Sequence, residues 1–145
     1  MKLCLRHAAA ALVLITIPFA APFAGTPSAD PALANRGKYL ATAANCISCH
    51  TKSGGMPFAG GLPFKTPFGT IYSTNITPDA RTGIGRWTED QFRRALREGI
   101  RPNGEHLYPA FPYTAFTKVP DEDVRAIFAY LKTVPPAGYR APDNH

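Results

Sequence analysis

Two thiols and an imidazole stand within five positions of one another in NCISCHT, residues 45–51. Cys46, Cys49 and His50 make the pattern C-x-x-C-H. A structural zinc site needs four ligands, typically from two such pairs, and this chain has no second pair. A redox dithiol of the thioredoxin kind expects a βαβ setting, whereas the residues before Cys46 read as a helix. A disulfide across two intervening residues closes too small a loop to stabilise much. With His50 included, the pattern reads as a c-type haem attachment. Two thiols add across the two porphyrin vinyl groups as thioethers, and the next residue offers an imidazole to the iron from one face. One covalently attached haem c is therefore expected, tethered by Cys46 and Cys49, with His50 as iron ligand.

Helices must deliver these residues. Asp30-Pro31 reads as an N-cap followed by proline at the first helical position. Leu33, Gly37, Leu40, Ala41 and Ala44 then recur at helical spacing, which predicts a helix over 31–44 that ends just before Cys46. Thr88 with Gln91 makes a capping box, Phe92, Ala95 and Leu96 form an apolar stripe, and Gly99 closes this second helix. Asp121 is expected to cap a third, with Val124, Ile127, Phe128 and Leu131 on one face and Pro135-Pro136 as its stop. Between Thr51 and Arg86 no helix is expected, only a short strand within Phe68–Thr74. Fifteen prolines and twelve glycines make the connections irregular. Loops this long are uncommon in a compact domain unless they wrap around something. A haem would supply that core. The expected fold is all-α, with three main helices and long irregular loops around one haem.

The chain has 145 residues, enough for one domain. Residues 1–24 read as a secretory signal peptide: Lys2 and Arg6 precede an apolar run to about Ala24, with cleavage expected between 20 and 29. Pro18 and Pro22 interrupt that run, which is short for a membrane span. Cys4 leaves with the signal. Residues 30–137 would form the haem domain and 138–145 a loose tail. Removing Lys2 and Arg6 from 16 basic residues leaves 14 against 10 acidic ones, a net charge of about +4. The charges are scattered, which argues against a nucleic-acid binder. An exported, haem-bearing chain belongs in the periplasm.

Five stretches carry a family likeness: RGKYLATAANCISCHT, GGLPFKTPFGTIYSTNITPD, GIGRWTEDQFRRALREGI, LYPAFPY and PDEDVRAIFAYLKTVPP. They resemble class I-like cytochromes c, and more closely one haem domain of the cytochrome c subunits that serve periplasmic alcohol, gluconate and aldehyde dehydrogenases. Those subunits commonly carry three such domains and a membrane attachment, so the chain resembles a single unit. The resemblance implies the cytochrome c fold, with the first and last helices crossing at Gly37. It also implies that Trp87 donates its indole N–H to a haem propionate; core packing is the other reading of this sole tryptophan. Arg81, Arg86 and Tyr72 are further candidates near propionates, and Pro63 for fixing a carbonyl that orients His50.

In the resembling family LYPAMPY supplies a Met to the second face of the iron. Here that position holds Phe111, which cannot ligate. Met56 follows His50 too closely to reach that face easily. His106, five residues before Phe111, is a candidate distal ligand or a surface histidine. His145 lies in the tail. The remaining possibility is no distal protein ligand, with Phe111 against an open position.

The expected function is a periplasmic mono-haem electron carrier between a dehydrogenase and a respiratory acceptor. It is not expected to be an enzyme, since no Ser/His/Asp set or carboxylate pair is evident. The alternatives are a five-coordinate haem that binds a small gas, motivated by Phe111, and a haem-free dithiol module.

Overall fold

Side chains and glycines set the helix boundaries in this chain. The computed structural model describes residues 30–107 and 110–145. The expected signal segment with Met1 and Cys4 lies outside the described residues, as do Tyr108 and Pro109 of LYPAFPY. Helix α1 spans Pro31–Ala43, and Asp30 Oδ1 accepts from the Ala32 N–H at 2.9 Å. One turn of helix, α2, covers Cys46–Cys49 after Asn45, which adopts a left-handed conformation. Helix α3 spans Glu89–Glu98. Thr88 and Gln91 cap each other there, with bonds of 3.2 and 3.0 Å, and left-handed Gly99 ends it. Helix α4 spans Asp121–Leu131.

Asp121 does not cap α4. Pro120 occupies the cap, and no side chain bonds the helix start there. Asp121, Glu122 and Asp123 fill the first turn instead, where negative charge complements the helix dipole. Arg36 of α1 donates to Asp123 at 2.7 Å.

The structure is mostly helical, as expected, with one addition. Strands β1, Pro63–Thr66, and β2, Gly69–Tyr72, form an antiparallel hairpin in which Pro63 faces Tyr72 and Thr66 faces Gly69. The strand expected within 68–74 thus exists, and its partner precedes it. A 3₁₀ turn at Tyr113–Phe116 follows Phe111.

Helices α1 and α4 cross at Gly37. A β-carbon at residue 37 would clash with the Ala126 carbonyl and lie 2.8 Å from Tyr130 Cβ. The opposing surface therefore includes Ala126, whose small side chain the helical stripe did not single out. The core around this crossing joins Ala41, Phe58, Phe92, Leu96, Val124 and Leu131.

The irregular stretch 74–87 is held by polar side chains. Asn75, 4 % exposed, donates to the carbonyls of Ala137 (2.7 Å) and Tyr139 (3.1 Å) and accepts from the Thr77 N–H and hydroxyl. Asp79 accepts from the Arg81 and Thr82 N–H groups and from the Thr82 hydroxyl. These bonds do for the loop what a ladder does for a strand. Of residues 138–145, expected to be loose, the last two lie along β2: His145 exchanges backbone bonds with Thr70, and Asn144 Oδ1 accepts from the Tyr72 N–H at 2.9 Å.

Candidate functional site

Because α1 ends at Ala43 and Asn45 reverses the chain, the single turn α2 presents its thiols at the mouth of a cleft. Both Cys46 and Cys49 are free, Cys46 half-buried and Cys49 exposed. Burial pushes the Cys46 thiol up, with the neighbouring Cys49 adding to the rise. His50 closes the turn, its N–H donating to the Cys46 carbonyl at 3.0 Å.

The ring of His50 is fixed from the other side. Its Nδ1 lies 2.7 Å from the Thr74 carbonyl oxygen. A carbonyl only accepts, so Nδ1 carries the proton and Nε2 keeps a lone pair for a metal. Burial holds the imidazole below its ordinary value, while the bond to Thr74 works in the opposite direction. The neutral form is the one that ligates. The carbonyl is Thr74's, two residues past β2, and Pro63 pairs with Tyr72 at the end of that strand.

The cleft beyond these groups is apolar. Ile76, Ile84, Leu96, Phe116, Ile127 and Leu131 line it, drawn from the 74–87 loop, α3, the 3₁₀ turn and α4. Trp87, Tyr72 and Phe111 line it as well. Phe111 stacks on Phe116, with centroids 5.6 Å apart and planes at 11°. The structure thus brings Cys46, Cys49, His50, Trp87 and Phe111 to one cleft.

His106 is not brought there. It is exposed and bridges to Ile100, while its neighbour Leu107 lines the cleft. Met56 is exposed, and His145 packs beside Tyr72 at 5.8 Å. Among the described residues, the lining holds one imidazole and no thioether. Arg81 and Arg86 lie outside it too; the guanidinium in the lining is that of Arg101. Thr74 and Arg101 carried no sequence signal, because a backbone carbonyl and a loop arginine look like any other.

The family model for cytochrome c matches residues 34–135. The chain belongs to the cytochrome c family. Membership implies covalently bound haem c, and the residues fit it: two free thiols and an imidazole with an unengaged Nε2 stand at the mouth of an apolar cleft. The cytochrome is 55% identical over 121 residues to the gluconate 2-dehydrogenase cytochrome c subunit of Pantoea cypripedii, covering 83% of this chain and 27% of that one. It is 50% identical over 123 residues to the cytochrome c subunit of a quinone alcohol dehydrogenase from Gluconobacter oxydans, covering 85% and 25%. Against the fructose dehydrogenase cytochrome subunit of Gluconobacter japonicus it is 50% identical over 116 residues, covering 79% and 24%. The chain spans about a quarter of the length of these relatives. Their names lend nothing to the gas-binding alternative. Among the described residues, no helix is long and apolar enough to cross a membrane.

Proposed function

We propose that this cytochrome is a periplasmic mono-haem electron carrier, drawing single electrons from a dehydrogenase and passing them to a respiratory acceptor. The observation that carries the reading is His50, its Nδ1 proton held by the Thr74 carbonyl and its Nε2 left for iron, beside two free thiols at an apolar cleft. Haem c, when bound, supplies a reversible one-electron couple. Cys46 and Cys49 would tether it as thioethers, and His50 would ligate its iron. The apolar lining keeps water out and lowers the local dielectric, which sets how strongly a change of charge is felt there. Trp87 is the indole donor available in the cleft, and Phe111 rather than His106 would cover the second face. The relatives' names support a dehydrogenase as electron donor. Residues 1–24 serve as the export signal, cleaved between 20 and 29, and residues 30–137 are the haem-bearing domain.

Expression with a cytochrome c maturation system tests this. Intact mass and a pyridine haemochrome assay are expected to give one haem per chain on two thioether links, with a new N-terminus within 20–29. Cys46→Ser with Cys49→Ser abolishes attachment. The loaded protein is then mixed with periplasmic sugar and alcohol dehydrogenases and their substrates, and one electron per chain is expected. Failure of every such dehydrogenase to reduce it sinks the carrier role.

A further inference from the structure

We infer that Gly60 is a positioning residue for the iron ligand His50, because its missing side chain is what lets the Thr74 carbonyl reach the imidazole. The inference rests on the proposed ligation by His50.

Residue 60 acts on His50 once directly and once through Thr74. Its N–H donates to the His50 carbonyl at 2.7 Å, which fixes the backbone of the ligand. Its α-carbon backs onto residues 73–74, just past β2, where the Thr74 carbonyl fixes the ring. A β-carbon on residue 60 would stand 2.5 Å from both the carbonyl carbon and oxygen of Thr74 and 2.6 Å from the Ser73 oxygen. All three atoms are backbone, so that segment would have to move. The adjoining pairs hold it in place: the Gly61 N–H donates to the Ser73 carbonyl at 2.8 Å, and the Ser73 N–H to the Leu62 carbonyl at 3.0 Å. Residues 60–62 and 73–74 thereby extend the β1–β2 hairpin up to His50 and grip it at both its main chain and its ring.

The hydrogen bond at Nδ1 fixes the tautomer and raises the basicity of Nε2. A more basic ligand favours the more highly charged, oxidised iron. Displacing the Thr74 carbonyl therefore moves the one-electron equilibrium toward the reduced form.

Gly60 has φ +75°, so any residue with a β-carbon also strains the backbone there. Gly54 provides the control. It has φ +69°, the same left-handed strain, and nothing within 4 Å of a β-carbon placed on it. The experiment compares Gly60→Ala with Gly54→Ala in the haem-loaded protein, once wild-type haem content has been established separately. Absence of haem in the wild type would sink the proposed function, whereas a loaded protein lets Gly60 be judged by itself. The readouts are midpoint potential and the exchange rate of the His50 Nδ1 proton by NMR. Gly60→Ala is expected to shift the reduction equilibrium about tenfold toward the reduced form (~59 mV for one electron) and to speed Nδ1 proton exchange at least tenfold. Gly54→Ala is expected to change neither. Equal responses from the two variants overturn the inference. Should Gly60→Ala fail to fold, the wild type decides: an Nδ1 proton protected from exchange to the same degree as the Gly60 N–H supports a joint grip, and free exchange of that proton refutes it.

Discussion

His50 and Phe111 line the same cleft, yet the chain holds them by different means. Around His50 the fastening is polar and mostly backbone: the Cys46 and Thr74 carbonyls, the Gly60 N–H, and behind Thr74 the bonds of Asn75 and Asp79. Around Phe111 one backbone bond, from the Tyr113 N–H to the Phe111 carbonyl, is joined by aromatic side-chain packing: Phe111 on Phe116, and the Tyr113 ring against Gly99, where a β-carbon would come within 2.8 Å. Hydrogen bonds are short-ranged and directional, so the first arrangement admits one geometry. Stacked rings and van der Waals contact tolerate exchange of one apolar shape for another of similar volume. A ligand whose lone pair must meet an iron atom needs the former. A wall that covers a face needs only the latter.

The contrast breaks most visibly at Asn75. Asn75→Ala strips the buried Thr77 N–H and hydroxyl of their acceptor and the Tyr139 carbonyl of its donor, while the Ala137 carbonyl keeps the Tyr139 N–H and the Thr82 hydroxyl, and each group left unsatisfied costs about 1–3 kcal/mol. A loss of roughly 3 kcal/mol or more is expected in urea unfolding. On the aromatic side, Phe111→Met is expected to cost less than about 1.5 kcal/mol by the same measurement. In the loaded protein it should also raise the reduction potential if the sulfur reaches iron. A larger stability loss at Phe111 than at Asn75 would reverse the comparison.

Asp79 sharpens the polar side through pH. Hydrogen bonds from the Thr82 hydroxyl and from backbone N–H groups hold its carboxyl below its ordinary value. The folded state therefore binds this proton less readily than the unfolded chain, whose carboxyl titrates near pH ~4. The resulting stability is complete above that pH and is lost as pH falls through the lower folded value. Asp79→Asn should flatten this acid limb in a pH series of unfolding midpoints and leave the neutral range little changed. The smallest effect is expected at His106, exposed and outside the cleft. His106→Ala should leave the visible spectrum of the loaded protein and its unfolding midpoint unchanged within error.

The parts legible in the sequence were those written in neighbouring residues. C-x-x-C-H, the Thr88–Gln91 capping box and the stripe at Phe92, Ala95 and Leu96 each declare themselves within a few positions; the box and the stripe form as read, and the two thiols share one helical turn. Gly37 was legible through the family likeness, and its contact with the Ala126 backbone bears that out. The Thr74 carbonyl was not legible, because main-chain atoms leave no mark on composition and its pairing with His50 crosses 24 residues. Asn75 hid for a related reason. In TNITPD it reads as a turn residue, and its partners at 137 and 139 come from beyond α4. Asp121 read as a cap because Asp commonly is one; the chain enters α4 one residue earlier, at Pro120.

The crossing at Gly37 has a consequence for the order of events as the chain matures. The glycine and the Ala126 backbone that fills its notch are 89 residues apart, and the core around them cannot close until α4 has emerged. Closing so long a loop costs more entropy than making a local contact. Cys46 and Cys49 follow α1 directly, so until α4 docks they sit on an open segment rather than in a finished cleft. The cleft around both sulfurs is therefore complete only when two helices far apart in the chain meet.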